Sequence, residues 1–104
     1  MIRVLVVDDQ QLLRQGLCSL LALSDKVEVA GQANDGLEAR DWLQANAGKV
    51  DVMLLDIRMP RMTGIELLNS LKQDGALLPT IMLTTFDDHE SLMGALSAGA
   101  KGYL

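Results

Sequence analysis

Aromatic side chains make up only 3% of the 104 residues, so any core must be built from Leu, Val, Ile, Met and Ala. Cysteine is nearly absent too. The single Cys18 excludes a disulfide within the chain and fits a reducing compartment, so the expected location is the cytoplasm. Cys18 itself reads as a small apolar residue on a helix. Positive charge is scarce: nine Lys and Arg stand against 14 Asp and Glu, the net charge is −5, and the basic residues form no stripe. Nucleic acid and anionic membrane surfaces both require clustered Lys and Arg, so neither is an expected direct partner. The apolar stretch after Met1-Ile2-Arg3 stops at Asp8 and Asp9, too soon for a membrane span and unlike a signal peptide. Nucleotide-binding loops are missing as well. There is no G-x-x-x-x-G-K-S/T, and the first strand leads into two aspartates, which repel a pyrophosphate, rather than G-x-G-x-x-G.

What is present is 49% hydrophobic and 22% charged, the composition of one small folded domain. Its periodicity changes repeatedly. Val4-Leu5-Val6-Val7 reads as a strand buried on both faces. Leu13, Gly16, Leu17, Leu20 and Leu21 then recur as one helical stripe. Residues 26–30 alternate polar and apolar, as a half-exposed edge strand does. Asp35-x-x-Glu38 opens a second helix as a capping box; Ala39, Trp42 and Leu43 form its buried face, and Gly48 marks its end. Residues 50–55 form a third strand that stops at Asp56. Thr63-x-x-Glu66 opens a third helix, with Ile65, Leu68 and Leu71 inward and Gly75 at its close. After Pro79 comes a fourth strand, 80–83. Asp87-x-x-Glu90 opens a fourth helix with Leu92, Ala95 and Leu96 on one face, and Gly102-Tyr103-Leu104 begins a fifth strand. The run Asp87-Asp88-His89-Glu90 suits a helix N-terminus better than a metal cluster. Strand and helix alternating with short connections predict an α/β fold with a parallel sheet and right-handed crossovers.

In such a sheet, ligands bind beyond the carboxyl ends of the strands. Strand one ends in Asp8-Asp9, strand three in Asp56 and strand four in Thr84-Thr85. If strands one and three are neighbours, three carboxylates converge. Two such charges about 5 Å apart repel by roughly 3 kcal/mol at an effective dielectric of 20. The cluster must therefore hold either a proton or a cation, and an all-oxygen site with room for water suits Mg²⁺. Asp9 could instead serve as a helix cap. Asp56 has no capping duty, because Thr63 already caps the following helix. A carboxylate beside a divalent cation can ligate metal for hydrolysis, or it can accept a phosphoryl group as an acyl phosphate, with a hydroxyl such as Thr84 as a donor. Haloacid-dehalogenase phosphatases carry a second Asp two residues after the nucleophile. Arg58 stands there in this chain, so the general acid needed for turnover is missing.

Five segments, in order and spacing, resemble the receiver domain of bacterial two-component response regulators: Val6-Val7-Asp8-Asp9, Leu54-Leu55-Asp56-Ile57-Arg58-Met59-Pro60, Met62-Thr63-Gly64-Ile65-Glu66, Leu83-Thr84-Thr85-Phe86-Asp87-Asp88 and Ala98-Gly99-Ala100-Lys101-Gly102-Tyr103-Leu104. The wording is most similar to regulators of the NarL/FixJ type, whose output is a helix-turn-helix DNA-binding domain. The resemblance implies a flavodoxin-like, doubly wound sheet of order 2-1-3-4-5. It implies Asp56 as phosphoacceptor from a histidine kinase, and Asp8, Asp9, Asp56 and the backbone carbonyl of Arg58 around Mg²⁺. Thr84 becomes the switch hydroxyl and Tyr103 the switch aromatic, while Arg58 and Phe86 tune acyl-phosphate lifetime. Such a domain is a phosphoacceptor with slow autodephosphorylation rather than a turnover enzyme. The family also has a lysine three residues past the aromatic and then a fifth helix. This chain stops one residue past Tyr103, and Lys101 precedes the aromatic. The expectation is that residues 1–104 form a C-terminally incomplete receiver domain, without its output domain, that exposes the sheet flank near strands four and five and self-associates. The alternative is a receiver-like interaction module that is never phosphorylated. The absent lysine favours it, and the complete set of Asp8, Asp9, Asp56 and Thr84 opposes it.

Overall fold

Strand and helix alternate as the periodicity predicts in the computed structural model, which describes residues 1–57, 59 and 61–83 and the backbone of 102–103. The elements are β1 (Ile2–Val7), α1 (Gln11–Ala22), β2 (Val27–Ala33), α2 (Gly36–Ala45), β3 (Val52–Asp56), α3 (Gly64–Gln73), β4 (Thr80–Leu83) and β5 (Gly102–Tyr103). All strand pairs are parallel, and the sheet order is β2-β1-β3-β4-β5. The fourth helix expected from Asp87 onward lies outside the described residues. Among the described residues, no helix is long and apolar enough to cross a membrane.

The two faces of the sheet are packed differently. Leu5, Val7, Met53, Leu55 and Met82 point to one face and meet Ala39 of α2 and Leu67, Leu68 and Leu71 of α3 in the larger core. Val4, Val6 and Leu54 point to the other and meet Leu17, Cys18 and Leu21 of α1. Because both faces are covered by helices, residues 4–7 of β1 and 52–55 of β3 are continuous apolar runs. β2 lies at the sheet edge and shows the expected alternation. Aliphatic and sulfur side chains supply this interior, as the shortage of aromatics requires. Trp42 packs against the core from α2, with its ring over Gly31 of β2, where any side chain would strike it.

The stripe read for α1 needs correction. Leu13 and Leu20 are exposed, whereas Arg14, Leu17, Cys18 and Leu21 face the sheet. These four recur at i, i+3, i+4 and i+7, as Leu13, Gly16, Leu17 and Leu20 do, but one residue further along, so that Leu17 and Leu21 of the expected stripe do face inward. A charged residue in the inward register pulled the reading onto its apolar neighbour. Helix ends follow local chemistry more closely. Thr63 and Glu66 form a complete capping box on α3, while at α2 only the Asp35 half is formed and Glu38 instead accepts from Asn34 Nδ2. Gly48 and Gly75 take positive φ just past α2 and α3.

At the amino end of the sheet, Arg3 donates to the Asp51 carboxylate from both Nε and Nη2 at 3.1 Å, and its backbone N–H adds a bond of 2.8 Å. These bonds hold the Asp51 carboxyl down at about 2, against an ordinary 3.8. The folded value lies below the unfolded one, so the pair contributes stability above pH 3.8 and loses it as pH falls to about 2. Both groups are exposed, so the effect is modest. Thermal melts of Arg3→Gln across that acid window should fall less steeply with pH than those of the parent chain. Parallel profiles would contradict the assignment.

Candidate functional site

The parallel pairing of β1 with β3 sets Val7 beside Leu55, so the next residues, Asp8 just past β1 and Asp56 at the end of β3, stand side by side. Carboxylate oxygens of Asp8, Asp9 and Asp56 lie within 4.8 Å of one another. Asp8 is buried, Asp56 is half-buried and Asp9 is exposed, so the cluster opens to solvent on one side. At this spacing each charge pair repels by roughly 3 kcal/mol at an effective dielectric of 20. β4 continues the row, since Leu83 is the register partner of Asp56.

Asp8 is fixed at every polar atom but one. Its N–H donates to Ala33 O of β2 at 3.1 Å. Its Oδ1 accepts from the Gln10 N–H at 2.8 Å, and its carbonyl accepts from Arg14 Nη1 at 2.6 Å. Asp8 Oδ2 is buried with no hydrogen-bond partner. Burial pushes the Asp8 carboxyl above its ordinary value and the neighbouring Asp9 adds to this, while the Gln10 N–H and the Arg14 charge pull the other way. A buried, unpartnered carboxylate oxygen beside two more hard oxygen donors fits a small divalent cation such as Mg²⁺. Asp9 does not cap α1. The N-cap is Gln10, in an extended conformation with no side-chain cap bond.

The surrounding loops are tied together by contacts that the sequence reading missed. Arg61, at φ 64°, donates from Nε to the buried Asp35 carboxylate at 2.8 Å. Burial works to raise the Asp35 carboxyl, but the Glu38 N–H and the Arg61 guanidinium outweigh it and hold the group below its ordinary value. Gly36 N–H donates to Met62 O, joining the same two loops through the backbone. Gly64, the first residue of α3, is packed so closely on the Asp56 carbonyl that a Cβ would collide with it. Met59 is buried in the larger core, because the chain turns inward at Ile57 and Met59 before reaching α3.

Of the predicted site residues, the structure therefore brings together Asp8, Asp9 and Asp56. Arg58, Thr84 and Phe86 lie outside the described residues. Tyr103 is placed by its backbone alone, in β5 opposite Met82 of β4. Arg14 is the residue that sequence reasoning could have found, as a charge standing in the inward register of an amphipathic helix.

Residues 4–104 match the response regulator receiver domain family. The chain is 41% identical over 102 residues to the nitrate/nitrite response regulator protein NarP of Escherichia coli, covering 98% of this chain and 46% of that protein. It is 40% identical over 104 residues to the transcriptional regulatory protein DesR of Bacillus subtilis, covering 100% of this chain and 50% of that one. It thus spans about half the length of these relatives. Among solved structures, the response regulator domain of Thermotoga maritima CheB superposes with a TM-score of 0.87 at 34% identity, covering 100% of this chain and 77% of that one.

Two substitutions test this packing. The folded protein holds the Asp8 proton more tightly than the unfolded chain, so ionised Asp8 costs stability. That cost is absent below the ordinary carboxylate range and complete above the raised folded value. At neutral pH without divalent cations, Asp8→Asn should raise the midpoint of urea denaturation, and an unchanged or lowered midpoint would contradict this. Gly64→Ala forces a methyl group into the Asp56 backbone and should cost about 1–3 kcal/mol in the same assay; a neutral effect would show that α3 can shift freely.

Proposed function

This chain belongs to the response regulator receiver domain family, and on that premise we propose that Asp56 accepts a phosphoryl group from a histidine kinase in a Mg²⁺-dependent step. The observation that carries the reading is the meeting of Asp8, Asp9 and Asp56 around a buried carboxylate oxygen that has no protein partner. Asp8 and Asp9, with Asp56 and the Arg58 backbone carbonyl, are the groups that would hold the cation. Bound Mg²⁺ would neutralise the carboxylates and the phosphoryl oxygens.

The chemistry asked of the chain is modest. A carboxylate oxygen of Asp56 attacks the phosphorus and forms an acyl phosphate. The phosphorus–nitrogen bond of the phosphohistidine donor breaks, and its electron pair leaves on the imidazole nitrogen. The rigid seat of Asp56, between the β1–β3 pairing and the first residue of α3, holds the nucleophile in line with little motion to restrict. Thr84 supplies a hydroxyl to the new phosphoryl oxygens, and Tyr103 follows its movement, so the face around β5 and the helix expected from Asp87 onward changes shape. In the whole protein that change would govern self-association and a helix-turn-helix output domain. Arg58 and Phe86 would set how long the acyl phosphate survives.

The test is intact mass after incubation with acetyl phosphate, with and without Mg²⁺, beside Asp56→Asn. A Mg²⁺-dependent gain of one phosphoryl group in the parent chain, lost in the variant, is the expected outcome. Equal labelling of Asp56→Asn would overturn the acceptor assignment. No labelling of the parent chain, or of a form extended at its C-terminus, would favour an interaction module.

A further inference from the structure

Arg14 is the one basic side chain buried among the described residues, with 8% of its surface exposed. A buried guanidinium ordinarily ends on a carboxylate. Here every acceptor it bonds is a neutral oxygen: Nη1 donates to Asp8 O and to Asn34 Oδ1, both at 2.6 Å, and Nε donates to Gln32 Oε1 at 3.1 Å. One planar fork thus joins the β1–α1 loop, the last residues of β2 and the β2–α2 loop. The Asp8 carbonyl belongs to the peptide plane whose other end is the Asp9 nitrogen. On the Asp8 side the sheet already fixes the chain, through Asp8 N–H to Ala33 O. Beyond that point the chain leaves the ladder; the Gln10 N–H to Asp8 Oδ1 closes the turn, and the Arg14 bond holds the Asp8 carbonyl itself before α1 begins.

We infer that Arg14 is a positioning residue for the acidic site: its guanidinium fork sets the peptide plane between Asp8 and Asp9 and so aims the exposed Asp9 carboxylate at a bound divalent cation. The inference rests on the metal-site reading of Asp8, Asp9 and Asp56. It concerns geometry rather than charge, and the two act with opposite sign. A nearby positive charge repels a cation, so charge alone would make Arg14 an opponent of binding. A fork that holds the ligand loop makes it a supporter, and partners of this kind are worth ten- to a hundredfold in metal affinity. Lysine separates the effects because it keeps the charge and loses the fork.

Mg²⁺ binding to the parent chain, Arg14→Lys, Asn34→Ala and Arg3→Gln would be measured by isothermal titration calorimetry, with the metal-free melting temperature of each recorded alongside. Arg14→Lys should weaken Mg²⁺ by about tenfold or more while remaining folded. Asn34→Ala, which removes one anchor of the fork, should weaken it by a smaller factor. Arg3→Gln breaks an ion pair at the opposite end of the sheet and should leave the affinity unchanged whatever it does to melting. If Arg14→Lys and Asn34→Ala both bind within about twofold of the parent chain, the positioning role is overturned and the metal site stands. If the parent chain itself binds no Mg²⁺, the metal-site reading falls and the inference falls with it.

Discussion

The structure is arranged around one electrostatic obligation: a carboxylate, Asp8, is kept out of water beside two others. Parallel pairing of β1 and β3 brings this about, because the register that packs Val7 against Leu55 leaves Asp8 and Asp56 no other place to emerge. The repulsion within the cluster is several kcal/mol, comparable to the whole stability of a domain this size. It is tolerable because the two well-packed cores on either side of the sheet hold the strand ends together. An apolar group at Asp8 would suit the fold better. On the proposed reading, Asp8 belongs to a site that a cation completes, with stability given up for function.

The same obligation accounts for the loops. Among the described residues, three connections cross the carboxyl edge of the sheet, and each is tied to a neighbour by a bond that does not belong to a helix or strand. Arg14 ties the first to the second, Arg61 and Asp35 tie the second to the third, and Gly36 and Met62 repeat that link through the backbone. Arg61 even adopts a left-handed conformation to do so. A site made of like charges would spread if its loops were free. Cross-ties allow the acidic groups to stay close without needing to attract one another.

Much of this was legible in the sequence, because strands buried on both faces and capped helices have strong local signatures. The run from Val4 to Val7, the Thr63–Glu66 box and the glycines after α2 and α3 fall where the pattern put them. The convergence of Asp8, Asp9 and Asp56 was legible too, given only that strands one and three are adjacent. What escaped was non-local or ran against type. The inward face of α1 was misread because Arg14 occupies a position that periodicity reserves for apolar residues. The Arg61–Asp35 bond joins residues 26 apart, and no spacing rule announces it. The collision that makes Gly64 necessary depends on how α3 sits on β3, which is set by the core and not by residues near Gly64.

The place of Trp42 gives the chain a built-in spectroscopic probe of limited view. It is the sole indole in the sequence, and its ring lies against Gly31 on the edge strand, where no side chain intervenes between indole and backbone. Its emission therefore registers the docking of α2 on β2. An unfolding trace followed through this fluorophore times the detachment of that outermost layer. If β2 and α2 peel away before the central strands part, fluorescence and backbone circular dichroism will trace separate transitions, and their separation will measure how independently the edge of the sheet melts.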